Sequence, residues 1–230
     1  GSLKAAHARN LRIRGAMGAN VILTDADRQG RSLLNANISG SITGGQWNIS
    51  GAIQNWIVRG NMVNAEVHLD GRLNRMLVRG LVDSSRFTSM NNINRMFVGA
   101  MVNSSVFVGI RDDYDIDRNA DGVLDLPGQD DMLAGAGRIN QFRILGCRGI
   151  ADAFSNSNIA AGSYGSILLK TNSLSNAVGD AENGQAFGVL AGENGIRKLR
   201  LVLNRRSYFW KNHGWTRNLN PEDLTVIETA

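Results

Sequence analysis

The sequence predicts an all-β fold, a single-domain parallel β-solenoid in which successive turns of chain, here called rungs, stack on one another. Two observations predict it. Apolar residues recur every 20 positions in the middle of the chain, and within each repeat they alternate with polar residues as a β-strand requires. Because one such repeat cannot bury its own apolar face, the repeats must stack to share a continuous core.

Each regular repeat contains an apolar residue, a second one three positions later and a third two positions after that. The step of two indicates a strand, and the step of three breaks the alternation, which we interpret as a corner between two strands. The predicted columns are Ile53, Leu73 and Ile93; Trp56, Met76 and Met96; Val58, Val78 and Val98; Gly60, Gly80 and Ala100; Met62, Val82 and Val102; Asn64, Ser84 and Ser104; and Trp47, Val67, Phe87 and Phe107.

The same spacing recurs outside this stretch, which gives about eight rungs within residues 1–204. The further units are Ala8, Leu11 and Ile13; Leu33, Ala36 and Ile38; Ile139, Phe142 and Ile144; Tyr164, Ile167 and Leu169; and Ile196, Leu199 and Leu201. Parallel crossovers favour a right-handed coil, so we expect a right-handed solenoid. At a spacing of about 4.8 Å, the rungs would form a rod on the order of 35 Å long. A seven-stranded sandwich is the structural alternative, but it does not require a constant 20-residue spacing.

The spacing between repeats also locates an insertion and an end segment. The step from Ile93 to Ile139 is 46 residues, which predicts a long acidic loop inserted at residues 111–138. The repeat stops after Leu203, and residues 205–230 carry several aromatic residues. An open solenoid end exposes strand edges, so we expect this tail to be a C-terminal cap or docking segment.

Composition excludes two classes of protein and indicates a compartment. The only cysteine is Cys147, which excludes a disulfide scaffold, and no run of about 18 apolar residues is present to span a membrane. The abundance of Asn, Gly and Ser with few lysines is common in secreted bacterial repeat proteins. We therefore expect an extracellular or cell-surface location on a bacterium.

Charge is unevenly distributed along the chain. The 25 Lys and Arg residues exceed the 20 Asp and Glu residues, so the net charge is +5. Residues 111–131, here called the acidic segment, contain eight Asp and two Arg and carry −6, which leaves +11 on the other 209 residues. Two faces of different charge are expected.

The repeat units resemble those of a known architecture. The units GAIQNWIVRGNMVNA, GRLNRMLVRGLVDSS and NNINRMFVGAMVNSSVFVG, together with an Asp-rich loop inserted after such a rung, resemble the parallel β-helix repeat regions of large secreted or cell-surface bacterial proteins. The resemblance covers roughly residues 8–204 and implies an extracellular structural or adhesive module. Some β-helix families are polysaccharide lyases or hydrolases, but no catalytic motif of theirs is identifiable in this sequence.

The acidic segment contains the start of a calcium-binding loop. The pattern D-x-N-x-D-G places oxygen ligands at alternate positions around a hard cation, and the glycine allows the turn. The twelfth position is Gly128 instead of the usual Glu, so acidic residues before or after the motif would have to complete the site. The candidate calcium ligands are Asp113, Asp115, Asp117, Asn119, Asp121 and Asp125. The alternative is a solvated acidic loop.

Arginines also align in the predicted stack. Arg59 is expected beside Arg79, and Arg75 beside Arg95, about one strand spacing of 4.8 Å apart. Such an array of guanidinium groups suits an anionic polysaccharide or a nucleic-acid backbone. Outward positions of a strand are polar in any case, and no nucleic-acid-binding motif accompanies these residues.

A second column of apolar residues lies one position after a column of core residues, so its side chains should point to the opposite face of the strand. Ile57, Leu77 and Phe97 should face outward, and an exposed apolar ladder marks a surface that something covers. The covering element would be the aromatic tail, a loop or another subunit. These three residues are our interface candidates.

No residue is assigned a catalytic role. His7, His68, His213 and Cys147 are far apart in sequence and show no metal-ligand spacing. The carboxylates of Glu66, Asp70 and Asp83 would suit carbohydrate cleavage, but they form no repeated column and lie in no recognisable motif. The polar columns of Asn and Ser are expected to satisfy backbone groups at the corners.

We expect a non-catalytic extracellular scaffold that spaces other domains or assembles with copies of itself into a surface layer or fibre, stabilised by calcium. The alternative is a carbohydrate-active β-helix that binds or cleaves an acidic polysaccharide along the arginine-bearing face with calcium assistance. Activity on polyuronates would favour the second function, and concentration-dependent elongation would favour the first.

Overall fold

The computed structural model describes residues 1–111, 113–115, 124–172, 187–192, 195–211, 214–216 and 224–229. These residues form 22 β-strands and one 3-10 turn, Gln129–Asp131, and they contain no α-helix. The predicted all-β class is therefore confirmed. Within the described parts of the chain, no helix is long and apolar enough to cross a membrane.

The strands form two sheets, and the chain alternates between them. All nine strands of the first sheet are parallel. In spatial order they are β1 (Ser2–Ala5), β3 (Asn20–Leu23), β6 (Gln46–Ile49), β9 (Glu66–Leu69), β11 (Arg86–Ser89), β13 (Ser105–Val108), β16 (Asn158–Ala161), β18 (Phe187–Ala191) and β22 (Leu224–Glu228).

The second sheet has thirteen strands and is parallel except at its last two pairings. Its main path is β2 (Ala8–Ile13), β4 (Arg31–Ile38), β7 (Ala52–Val58), β10 (Leu73–Asp83), β12 (Ile93–Val102), β14 (Arg138–Ile144), β17 (Ser163–Thr171), β19 (Leu199–Leu203), β20 (Arg206–Lys211) and β21 (Gly214–Trp215). The short strands β5 (Ile42–Thr43), β8 (Met62–Val63) and β15 (Phe154–Ser155) pair beside this path.

Residues 20 apart pair directly in the middle of the second sheet. Leu73 pairs with Ile53 on one side and with Ile93 on the other, and all three side chains are fully buried. The inward residues of both sheets belong to one hydrophobic cluster. Trp47 of the first sheet stacks on Trp56 of the second, with ring centroids 4.4 Å apart. The two sheets therefore share a core, and their outer faces point away from each other.

The three-residue step does not mark a corner, contrary to our interpretation of the sequence. Leu73 and Met76 both lie inside β10, which runs through the step without interruption. The two residues between them, Asn74 and Arg75, are both outside the core. The strand absorbs the extra residue as a local irregularity, which a pattern of apolar residues alone cannot distinguish from a corner.

The 20-residue spacing also ends earlier than predicted. A bulge lies in β10 between Val78 and Leu81, so that Val82 pairs with Met101 and not with the predicted Val102. The columns predicted beyond Val98 are therefore displaced by one residue.

Because of this displacement, the residues of β13 that were expected to face the core face outward, and their neighbours face the core. Phe87 pairs with Val106, which takes the inward position, and Phe107 pairs with Thr88 on the outer face of the first sheet. Phe107 was predicted as a core residue of the main stack. It is buried instead in a separate outer cluster.

Polar ladders connect the repeats, but Asn74 and Asn94 lie inside β10 and β12 and bond side chain to side chain, not at corners to backbone groups as predicted. Asn94 donates from Nδ2 to Asn74 Oδ1 over 2.9 Å, and Asn140 donates to Asn94 Oδ1 over 3.1 Å. A second ladder links the side-chain amides of Asn55, Asn35 and Asn10.

The turns that lead into the first sheet contain residues in the left-handed backbone conformation and serine hydroxyls that accept backbone hydrogen bonds. Asn64, Ser84 and Asn103 have positive φ angles of 52°, 47° and 47°. The Oγ of Ser85 accepts the backbone N–H of Ala65, and that of Ser104 accepts the N–H of Ser85. These bonds satisfy backbone donors that no strand pairs.

The tail lies at the end of both sheets. β20 returns antiparallel on β19 through a turn in which Asn204 and Arg205 both have positive φ, and β22 is the last strand of the first sheet. Trp210 Nε1 donates to Glu228 Oε2 over 3.1 Å and joins the two tail strands. This placement suits a cap, and the division into residues 1–204 and 205–230 stays a prediction.

Candidate functional site

The candidate site is the outer face of the second sheet, here called the basic face. A central column crosses eight parallel strands, and each member pairs in register with the next. Its members are Arg12, Asn37, Ile57, Leu77, Phe97, Arg143, Leu168 and Arg200. None of them is buried, whereas the inward residues on either side of them in β4 to β19 are. The column therefore has arginines near both ends and an apolar middle.

The predicted apolar ladder is the middle of this column. Leu77 pairs with Ile57 on one side and Phe97 on the other, and all three side chains are half-buried. The guanidinium carbon of Arg143 lies 5.2 Å from the centroid of the Phe97 ring, which is cation–π distance. The assignment of the ladder to an interface stays a prediction.

The predicted arginine pairs flank the ladder. Arg75 pairs directly with Arg95, and the pairing of Val58 with Val78 brings Arg59 beside Arg79. All four arginines are exposed. None belongs to an ion pair found among the described residues. Like charges on neighbouring strands repel, so this arrangement favours an anion between or above them.

The two sheets differ sharply in charge. The strands of the second sheet contain twelve Arg or Lys residues and one acidic residue, Asp83, which is the last residue of β10. The strands of the first sheet contain two basic residues, Lys4 and Arg86, and two acidic ones, Glu66 and Glu228. The second sheet therefore presents a nearly unopposed positive potential.

Two surface grooves lie on the basic face, one toward each end. The first is lined by Asn10, Arg12, Asn35, Asn37, Asn55 and Ile57, among others. The second is lined by apolar residues and glycine and by Cys147, Arg148, Lys170, Thr171, Asn172 and Arg205. Both contain amide or hydroxyl groups beside basic side chains and no carboxylate.

The calcium candidates are only partly described. Asp113 forms an ion pair with Arg111, with Oδ2 and Nη2 2.7 Å apart, and the hydrogen bond from Arg111 lowers the pKa of Asp113. Asp115 is exposed and Asp125 is half-buried. The other candidates, Asp117, Asn119 and Asp121, lie outside the described residues. Within the described parts of the chain, no three His, Cys, Asp or Glu residues are grouped to hold a metal, so calcium binding stays a prediction.

Both ends of the acidic segment are anchored to the outer face of the first sheet. Tyr114 packs edge-on against Phe107, with centroids 5.6 Å apart, and donates its hydroxyl to the carbonyl of Asp125 over 2.7 Å. Asn158 Nδ2 donates to the carbonyl of Leu124. The acidic segment thus begins and ends on the side of the molecule opposite to the basic face.

No protein-family model, curated protein or solved structure matches the chain. The functional proposals below therefore rest on the residues of this chain.

One polar group was missed in the sequence. His68 Nδ1 lies 3.1 Å from Thr88 Oγ1, and His68 Nε2 lies 3.0 Å from Asp70 Oδ1. The Thr88 hydroxyl itself lies 3.1 Å from the Val67 carbonyl, to which it donates its proton. The hydroxyl therefore links His68 of β9 to Thr88 of β11 as part of a polar ladder. The sequence does contain a signal for the contact of His68 with Thr88, because the two positions are 20 residues apart and are therefore expected on neighbouring strands.

The three carboxylates considered for carbohydrate cleavage do not share one strand or one sheet. Glu66 lies in β9 of the first sheet and accepts the side-chain amide of Gln46 over 2.9 Å. Asp83 lies in β10 of the second sheet, where it accepts the Ser84 hydroxyl. Asp70 follows β9 and contacts His68. Each carboxylate therefore has its own local partner.

Proposed function

We propose that the chain is a non-catalytic structural module, a right-handed parallel β-solenoid of about eight rungs that holds other domains or further copies at a fixed spacing. The observation that carries this proposal is the pairing of Leu73 with both Ile53 and Ile93 across three strands. A chain that returns to the same register every 20 residues devotes most of its length to one continuous stack.

The stack has the features of a stiff rod. Its core is continuous, and ladders of Asn and Ser side chains join neighbouring repeats outside the core. Bending the rod would separate these ladders as well as the backbone bonds of both sheets. Eight rungs at about 4.8 Å correspond to a rod on the order of 35 Å long. An extracellular or cell-surface location on a bacterium is part of the proposal, and composition and repeat style support it.

One end of the stack is suited to end-to-end assembly. β1 and β2 are the outermost strands there, and their outer edges have no strand partner among the described residues. Leu3, Leu11 and Ile13 are only half-buried, although they point toward the core. An unpaired strand edge beside incompletely buried apolar residues is a template for strand addition. At the other end, β20 folds back antiparallel and protects the edge of the second sheet.

The test compares two Leu→Lys variants. Leu3→Lys introduces a charge at the open end, whereas Leu133→Lys introduces the same charge at a side chain that is already 38% exposed. The weight-average mass from sedimentation should rise with concentration for the wild type and for Leu133→Lys, and it should stay monomeric for Leu3→Lys with an unchanged circular dichroism spectrum. A wild type that stays monomeric at all concentrations, or continued assembly of Leu3→Lys, would contradict the proposal.

A further inference from the structure

We propose that the basic face binds a linear anionic polysaccharide, which lies across the strands from one groove to the other. This goes beyond a structural role. It uses neither β1 nor the core residues of the open end, so it can fail without affecting the proposal of end-to-end assembly.

The path of the ligand follows from the order of residues on the face. The central column places Arg12 in the first groove, passes through the apolar ladder and reaches Arg143 and Arg200. Lys170, two positions beyond the column residue Leu168, lies in the second groove. Eight strands at about 4.8 Å give a track on the order of 35 Å, which accommodates several sugar units of an extended chain.

The charge of the ligand follows from the unopposed arginines. The Arg75 and Arg95 pair and the Arg59 and Arg79 pair place two guanidinium groups on adjacent strands on each side of the ladder. A polymer with one anionic group on each sugar would relieve the repulsion in both pairs, because guanidinium forks hydrogen-bond carboxylate and sulfate in a bidentate manner.

The sugar character of the ligand follows from the amides and the apolar ladder. The first groove is lined by four asparagine side chains, which both donate and accept hydrogen bonds, as hydroxyl groups do. The half-buried side chains of Leu77 and its neighbours form a shallow apolar strip, against which the C–H face of a sugar ring can pack.

A nucleic acid fits the same face less well. Proteins that hold single strands use several aromatic side chains as stacking platforms. The central column contains one aromatic residue, Phe97, and Arg143 already lies over its ring.

The experiment measures binding of polygalacturonate, dextran sulfate, neutral dextran and oligo(dT) by calorimetry at several salt concentrations. Two double variants remove the same charge. Arg75→Gln with Arg95→Gln alters the middle of the basic face, and Lys4→Gln with Arg28→Gln alters exposed basic residues outside the central column and its flanking pairs.

We expect the wild type to bind polygalacturonate, dextran sulfate or both, with an affinity that falls as salt increases, and to bind neutral dextran not at all. The tighter of the two polymers identifies carboxylate or sulfate as the preferred group. The Arg75 and Arg95 double variant should lose roughly tenfold or more in affinity, since each arginine contributes charged hydrogen bonds. The control double variant should stay within about twofold of the wild type.

Three results would overturn the proposal. One is no binding of either anionic polysaccharide at low salt. Another is an equal loss of affinity in the two double variants, which would mean that net charge and not the basic face determines binding. The third is binding of oligo(dT) as tight as that of the polysaccharides, which would assign the face to polyanions in general.

Discussion

The turn before β4 is organised by one ion pair. Arg31 donates from Nε and Nη2 to Asp27 Oδ2 over 2.9 and 2.7 Å, and Asp27 Oδ1 accepts the backbone N–H groups of Gln29 and Arg31. The hydrogen bond from the Arg31 side chain, followed by that from its backbone N–H, lowers the pKa of Asp27 from 3.8 to about 2. One carboxylate therefore shapes the whole turn.

This pair predicts a pH-dependent change in the turn. Because the pKa of Asp27 is lower in the folded chain than its ordinary value of 3.8, its contribution to stability is present above about pH 4 and is lost as the pH falls through about 2. Replacing Arg31 with Gln should raise the pKa of Asp27 toward 3.8, and Arg28→Gln should leave it near 2. A carbon-detected NMR titration of the carboxyl group measures both values. A wild-type pKa near 3.8 would show that the pair does not form in solution.

Residue-level contacts were the least predictable part of the structure. The pairing of Arg75 with Arg95 follows from their spacing of 20, as does the contact of His68 with Thr88. The contact of Tyr114 with Phe107 does not follow, because it depends on how a long insertion returns to a distant strand. Hydropathy spacing contains no information on such a return.

At the scale of the element, β10 separates core from surface at adjacent positions. Met76 is fully buried and Leu77 is half-buried on the basic face. Met76→Ala should reduce the free energy of unfolding by roughly 2–5 kcal/mol, because it leaves a cavity in a packed core. Leu77→Ala should reduce it by about 1 kcal/mol or less.

Denaturant unfolding of both variants provides the measurement, provided that the dependence of free energy on denaturant is the same in each. Equal losses would mean that the faces of β10 are assigned wrongly. Leu77→Ala also serves the functional account, since it should alter polysaccharide binding more than stability.

Apolar spacing predicted the strand pairing of the repeat units everywhere except after the bulge in β10. The columns of Leu73, Met76 and Val78 pair as predicted with the repeats on both sides. A single bulge in β10 displaces only the columns from Ala100 to Phe107, and the sequence contains no proline or other clear marker of it. The β12 residues up to Val98 keep their predicted partners in β14. Bulges depend on backbone geometry, so residue type at one site indicates them poorly.

At the scale of the whole molecule, the separation of charge agrees with the uneven charge of the sequence. The acidic segment begins and ends against the first sheet, and the second sheet carries most of the basic residues. Composition alone could not assign each charge to a sheet, because that assignment requires the alternation of the chain between the two.

Calcium provides a separate prediction for the acidic segment. If the candidate ligands form a site, calorimetry should detect calcium binding with a dissociation constant on the order of 10⁻⁴–10⁻³ M, as in extracellular modules. Asp117→Asn with Asp121→Asn should abolish it, and Asp27→Asn should not. If the wild type binds no calcium at millimolar concentrations, residues 111–131 are a solvated acidic loop.

The central claim is that stacked repeats form a rod that associates with further copies end to end through its open end. Small-angle X-ray scattering over a series of concentrations tests it most directly, because it measures the length and the cross-section of the particle separately. The account predicts a length that increases with concentration while the cross-sectional radius stays constant. A particle whose cross-section grows with concentration, or one whose length never changes, would contradict it.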